Sequence, residues 1–177
     1  MPDIKEIIAK AKEIGFEEAV VLDVSGLQTC EWVRSECASN KCKAYNNNWT
    51  CPPTCGTLEE CAERMGHYQR GIVMQTVGQL EDTFDVEGFV ETEKNHRSRI
   101  IEFNEYLHSV YPDSLCLGAG GCRICAKCNF PEPCRFPEKA ISSMEGYGLF
   151  VTQVCKDNDL AYNHGPNTLT YTACALF

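Results

Sequence analysis

Cys122-Arg123-Ile124-Cys125-Ala126-Lys127-Cys128 sets three cysteines two residues apart, and Cys134 follows after five more residues. No other feature restricts the folding of this chain as strongly. Thiols crowded so closely either oxidise or are held in place by something that they grip together. Disulfide pairing belongs to oxidising compartments, yet the 13 cysteines of this chain are an odd number. Its N-terminus, Met1-Pro2-Asp3-Ile4-Lys5-Glu6-Ile7-Ile8, mixes both charges and lacks the basic cap and apolar run of a signal peptide. The expected location is therefore the cytoplasm, where clustered cysteine points to metal or redox chemistry.

Three thiolates at this spacing can wrap one face of a cubane, each reaching a different iron, while a fourth beyond a short turn closes the last corner. Bacterial ferredoxins open in the same way, although their fourth cysteine serves a second cluster. Here Cys134 is near enough to serve the same one, and Pro131 and Pro133 stiffen the path to it. Zinc more commonly takes two cysteine pairs separated by a longer span. Cys122, Cys125, Cys128 and Cys134 are thus expected to hold a [4Fe–4S] cluster, with zinc as the alternative. Leu117-Gly118-Ala119-Gly120-Gly121 leads into them. Arg123 stands where a dinucleotide fingerprint would need its third glycine, so that reading fails. The glycines suit backbone N–H groups approaching anionic sulfurs, and equally a tight turn after a strand.

A second group is looser: Cys37, Cys42, Cys51 and Cys55, separated by four, eight and three residues and flanked by Cys30 and Cys61. Cys51 precedes Pro52-Pro53, which restricts the loop, and Tyr45-Asn46-Asn47-Asn48-Trp49 can shield one side and donate hydrogen bonds. A second [4Fe–4S] cluster is expected on Cys37, Cys42 and Cys51 with Cys55 as fourth ligand, Cys30 or Cys61 replacing it if need be. Zinc and a set of packed free thiols are the alternatives. With three ligands only, one iron would stay open to substrate. Cys116, Cys155 and Cys174 sit in apolar surroundings and read as small buried hydrophobes. The four histidines are scattered, each a surface or core residue by default.

Around these groups, helical spacing of Ile4, Ile7, Ile8 and Ala11 predicts a helix over 3–14, stopped by Gly15. Residues 19–24 and 71–77 read as strands, and 28–56 as irregular backbone. Thr57-Leu58-Glu59-Glu60 has the capping-box form and opens a helix to about Gly66. A polar excursion over 79–90 precedes a long helix to about His108, its inner face Ile100, Ile101, Phe103, Tyr106 and Leu107. A short strand at 114–117, short helices near 137–144 and 149–157, and a strand at 168–176 complete the chain. The expectation is one α/β domain over 1–177, with α+β as the variant. It would comprise about four strands with flanking helices and two cysteine-rich cluster-binding insertions.

The formal net charge is −9. A nucleic-acid binder needs a basic face, and the densest positive stretch here is Lys94, Arg97 and Arg99 among acids. No nucleic-acid partner is expected. An acidic surface suits docking to a basic redox partner, and self-association is compatible with it. No run approaches the roughly 18–20 apolar residues of a membrane helix, so no membrane partner is expected either.

Gly118-Ala119-Gly120-Gly121-Cys122, Cys134-Arg135-Phe136-Pro137-Glu138-Lys139-Ala140 and Ser143-Met144-Glu145-Gly146-Tyr147-Gly148, with Cys51-Pro52-Pro53 and the Tyr-Asn-Asn-Asn-Trp stretch upstream, carry a resemblance. The chain resembles the prokaryotic predicted metal-binding proteins grouped as domain of unknown function 2284, from the first strand to the last. The resemblance implies that Cys122, Cys125, Cys128 and Cys134 form the family's cysteine signature and Cys37, Cys42 and Cys51 its upstream cysteines. It implies metal binding and no particular reaction. The leading expectation is an electron-transfer accessory to an oxidoreductase or methyl-transfer system in an anaerobic prokaryote. The alternatives are an enzyme with an open-site cluster and a zinc-stabilised binding or scaffold protein.

Overall fold

Asp3 starts the first helix, α1 (Ile4–Ile14), by accepting from the Lys5 and Glu6 amides, while Glu6 reaches back to the Asp3 N–H. Two orphan donors are satisfied reciprocally. Gly15, at φ 117°, ends it in the left-handed conformation that glycine adopts without penalty. A computed structural model describes all 177 residues, Met1–Phe177. The further helices are α2 (Glu31–Ala38), α3 (Leu58–Gly66), α4 (Val86–Val110) and α5 (Val151–Asp157). The capping box at Thr57 and Glu60 forms as its spacing predicts. No helix is long and apolar enough to cross a membrane.

Five strands, β1 (Glu18–Val21), β2 (Gly71–Gln79), β3 (Leu115–Gly118), β4 (Ser142–Ser143) and β5 (Thr168–Leu176), form one mixed sheet in the order β1-β2-β5-β3-β4. Every neighbouring pair is antiparallel except β3 with β4. The long central pair runs from Gly71 opposite Leu176 to Gln79 opposite Thr168.

Successive strand residues point to opposite faces, and both faces here are covered. Ile72, Met74, Cys116, Ala173 and Ala175 pack under α1 and α4 with Phe16, Ile100, Phe103 and Leu107. Leu117, Cys174 and Leu176 face the other way, onto Met65 of α3, Val154 of α5, and Met144, Tyr147 and Leu149. Burial on both sides explains the unbroken apolar stretches Ile72–Met74 of β2 and Ala173–Leu176 of β5, whereas the first half of β5 alternates threonine with Leu169 and Tyr171. Helix α4 lies close on β2: a Cβ at Gly78 would stand 1.9 Å from Thr92 Oγ1.

The fold is α/β as expected, with one strand more than expected. Strand β4 has only two residues, Ser142 and Ser143, too few to show a period. Around 137–144 a single 3₁₀ turn, Pro137–Lys139, stands where the sequence suggests a helix, because Ala140 turns extended and feeds β4. Strand β2 runs on to Gln79, and α4 begins at Val86 with Asp85 as its cap. The stretch 28–56 is not wholly irregular, since it contains α2. Neither cysteine group forms a discrete insertion, which corrects the expectation of two. Cys37 lies on α2 and Cys61 on α3, with Cys42, Cys51 and Cys55 on the connection between them. The downstream group is the β3–β4 connection itself. Parallel neighbours require a long crossover, so the cysteines occupy chain that the topology needs anyway.

His96 is a buried charge-sensitive group in this core. Its ring stacks on Tyr171 at 5.5 Å, meets Phe16 edge-on, and holds Thr76 Oγ1 at 3.0 Å through Nδ1. Burial, aided by Arg99, pushes its pKa down to about 4. The unfolded chain takes up a proton near pH 6.5 that the folded protein refuses until about pH 4. Stability present above pH 6.5 is therefore lost as pH falls towards 4, by about 3 kcal/mol for this group. Denaturant titrations between pH 7 and 4.5 should show this slope, and His96→Gln should flatten it. Equal slopes in both proteins would refute the assignment.

Candidate metal centre

Strand β3 ends at Gly118, whose carbonyl accepts from the Met144 amide at 2.9 Å. The chain then turns through Gly120, at φ 70°, and delivers Cys122 to the edge of the sheet. From there to Phe136 the backbone has neither helix nor strand. Its own side chains tie it instead. Asn129 Nδ2 donates to the Pro133 carbonyl at 2.8 Å, and Arg135 donates to Asn129 Oδ1 at 2.8 Å and to the Lys127 carbonyl at 3.2 Å.

The upstream group clasps this loop from outside. Thr50 Oγ1 accepts from the Cys122 amide at 3.1 Å, and Asn48 Nδ2 donates to the Cys122 carbonyl at 3.1 Å. Asn48 Oδ1 in turn accepts from both the amide and the hydroxyl of Thr50. Trp49 Nε1 donates to the Glu132 carbonyl at 2.8 Å, and its ring meets Phe130 edge-on at 5.2 Å. The asparagine–tryptophan stretch thus shields the downstream cysteines, whereas its position in the chain suggests a role for the upstream ones.

Cys122, Cys125, Cys128 and Cys134 line one cleft, walled by Asn48, Trp49, Thr50 and Phe136. Free space at its centre is about 20 Å³, close to that of a single water. As they stand, no three His, Cys, Asp or Glu side chains in the protein are disposed to hold a metal ion. The donor set nevertheless fits an iron–sulfur core. It consists of four thiols, with no carboxylate or imidazole in the lining to favour a harder ion. Burial raises the Cys122 pKa, while the Ile124 and Ile141 amides donate to its sulfur and favour the thiolate. Thiols draw together when a metal displaces their protons, and this loop has no regular structure to resist that movement.

Among the upstream cysteines, Cys37, Cys42 and Cys51 are electrostatic neighbours. Burial pushes Cys51 up to about 11, against a hydrogen bond from Thr50. Burial also raises Cys37, with the Glu145 carboxylate adding to it. Cys51 abuts the other group: a Cβ on Gly121 would lie 3.1 Å from its sulfur.

Cys55 faces elsewhere. Its thiol donates to the Gly146 carbonyl at 3.4 Å and pairs with Cys61. The proton stays on Cys55, raising its pKa, and Cys61 is lowered by that hydrogen bond and by Arg34, whose Nη2 donates to the Cys61 sulfur at 3.5 Å. Cys30 caps α2, and its thiol reaches the Gln28 carbonyl at 3.9 Å. Cys116, Cys155 and Cys174 lie in the core. Nothing in the sequence marks Arg34 as the partner of a thiol, since it lies in a stretch that reads as irregular backbone and meets Cys61 only through the fold. Glu145, whose Oε2 is buried without a hydrogen-bond partner, is equally unmarked.

No curated protein and no solved structure matches the chain. A family model does: that of the "Predicted metal-binding protein (DUF2284)", over residues 20–177. That span takes in every strand after the start of β1 and every cysteine described above, and the chain belongs to this family of predicted metal-binding proteins.

Proposed function

We propose that the protein is an iron–sulfur electron carrier. In this reading Cys122, Cys125, Cys128 and Cys134 hold one [4Fe–4S] cluster, and Cys37, Cys42 and Cys51 hold a second with Cys55 as fourth ligand. The observation that carries it is the gathering of four thiols in one cleft lined by no carboxylate and no imidazole. Family membership supports metal binding in general. Such a cluster exchanges single electrons with little rearrangement, and hydrogen bonds, charge and burial set its potential.

The protein's own residues have definite tasks here. The Ile124 and Ile141 amides stabilise negative charge on the Cys122 sulfur. Asn48 and Thr50 pin the Cys122 backbone from both sides. Trp49, packed edge-on against Phe130 of the loop, limits water there. Cys51, next to Gly121, brings the upstream group against the downstream one, which suits electron passage between them. The net charge of −9 disfavours further negative charge, and so favours low potentials and duty as a reductant towards a basic partner protein.

One contact favours a second reading. Because the Cys55 thiol is engaged by Gly146 and Cys61, three thiols alone would bind upstream. One iron position would then be open to a small substrate, as in an enzyme.

Anaerobic purification followed by iron, zinc and acid-labile sulfide analysis tests the proposal. Brown protein with about eight irons and about eight sulfides per chain is expected for two cubanes, and about four of each for one. Colourless, zinc-loaded protein would overturn it in favour of a zinc-stabilised scaffold.

A further inference from the structure

A cavity of about 270 Å³ opens between α4 and the glycine turn that leads to Cys122. Its charge is unusual for this molecule. Against a net charge of −9, its lining contains Arg97, Arg123 and Lys139 with Glu93 as the single acid, although Lys139 is itself paired with Glu105 at 2.8 Å. These cations come from α4, the cysteine loop and the 3₁₀ turn before β4, so their meeting is a product of the fold. Glu93 pairs with Arg97 at 2.5 Å and with Arg123 at 3.5 Å. One carboxylate shared by two guanidiniums leaves them with donors to spare, since each guanidinium presents five.

Backbone donors add to this. The Gly120 and Gly121 amides, in the turn that walls the cavity, donate to no backbone acceptor. Successive amides around a left-handed glycine make an anion-binding concavity, and Gly120 has φ 70° with open space where a Cβ would be. The rest of the wall is apolar, chiefly Ile100, Ile101 and Ile141, with the His96–Tyr171 stack beside them. An apolar cleft with a few convergent polar groups is the usual form of a small-molecule site.

We propose that this cavity binds a small organic carboxylate with an apolar body, its acid group held by Arg97, Arg123 and the glycine turn, and its body against the isoleucines. The bare phosphate ion, the other anion such donors attract, would leave the isoleucine wall unused. The site goes beyond the electron-carrier reading; because Cys122 shares its wall, iron content is measured beside every titration, so that the two readings fail separately.

Benzoate is the probe, titrated calorimetrically into full-length protein, with neutral benzamide and inorganic phosphate as comparisons. Saturable binding of one benzoate per chain is expected, with benzamide weaker by about tenfold or more, as for loss of a charged hydrogen bond. Arg123→Gln, whose side chain is 64% exposed and so unimportant to folding, should weaken benzoate by about tenfold. Lys94→Gln removes the same charge from an exposed position on α4 outside the cavity and should leave binding unchanged. The proposal is overturned if benzamide equals benzoate, if phosphate binds more tightly than benzoate, if the two variants weaken binding alike, or if no saturable heat is seen.

Discussion

Cys125→Ser protein purified without oxygen is expected to carry about four irons and about four labile sulfides fewer per chain than the parent. Serine keeps the size of the side chain but replaces a soft thiolate by a hydroxyl that binds iron far less readily. The loop around it is held by Asn129, Arg135, Asn48 and Thr50, none of which touches the Cys125 side chain through a hydrogen bond. The polypeptide should therefore fold with the remaining site loaded. Electron paramagnetic resonance of the reduced protein would then show one signal lost and the other retained. Cys155→Ala, changed in the core on α5, serves as the control and should keep its full iron content. If Cys125→Ser retained all its iron, the downstream cleft would not be a cluster site.

Truncating Phe103 to Ala should cost about 3–5 kcal/mol, a large share of the roughly 5–15 kcal/mol by which domains are stable. Phe103 has no exposed surface and lies between α1, α4 and the sheet, edge-on to Phe16 at 6.2 Å. Its removal leaves a void that rigid neighbours on three sides cannot fill. The midpoint of urea unfolding should fall with an unchanged slope, and melting should drop by roughly 10 °C for a chain of this size. Folded protein should still bind its normal metal content, since Phe103 is on the opposite face of the sheet from Tyr147 and Met144, where Cys55 and Cys61 pack. A cost below about 1 kcal/mol would mean that the α1–α4 layer is not the principal core.

The parts legible in the sequence are those whose signal is local. The spacing of Ile4, Ile7, Ile8 and Ala11 marks α1, and Thr57 with Glu60 marks a helix start within four residues. Strand β2 announces itself by the apolar run that opens it, and β5 by its content of Thr, Tyr and Leu. Strand β4 was hidden because two serines carry no period, and α2 because its exposed aromatic and charged residues, with Cys30 as a cap that makes no side-chain bond, resemble loop. The alternation of helix and strand patterns makes the α/β class legible, whereas the cysteine groups look like separate insertions in the sequence because α2 and the β3–β4 crossover that carry them have no periodic apolar pattern.

What the sequence by itself determined is the company of Cys122, Cys125, Cys128 and Cys134, because spacings of three and six residues cannot part successive cysteines by more than about 10 Å and about 20 Å of backbone, whatever the rest of the chain does. Only the tertiary structure decided that Cys51 reaches Gly121, that Cys55 turns to Cys61 under Arg34, and that three scattered cations meet around one cavity. Those contacts join residues tens of positions apart, and they follow from the strand order, which brings β3 and β4 beside β5 and stacks the loops at their ends. Strand order is set by how two faces of a sheet are buried together, a property of the whole chain that no short stretch of it encodes.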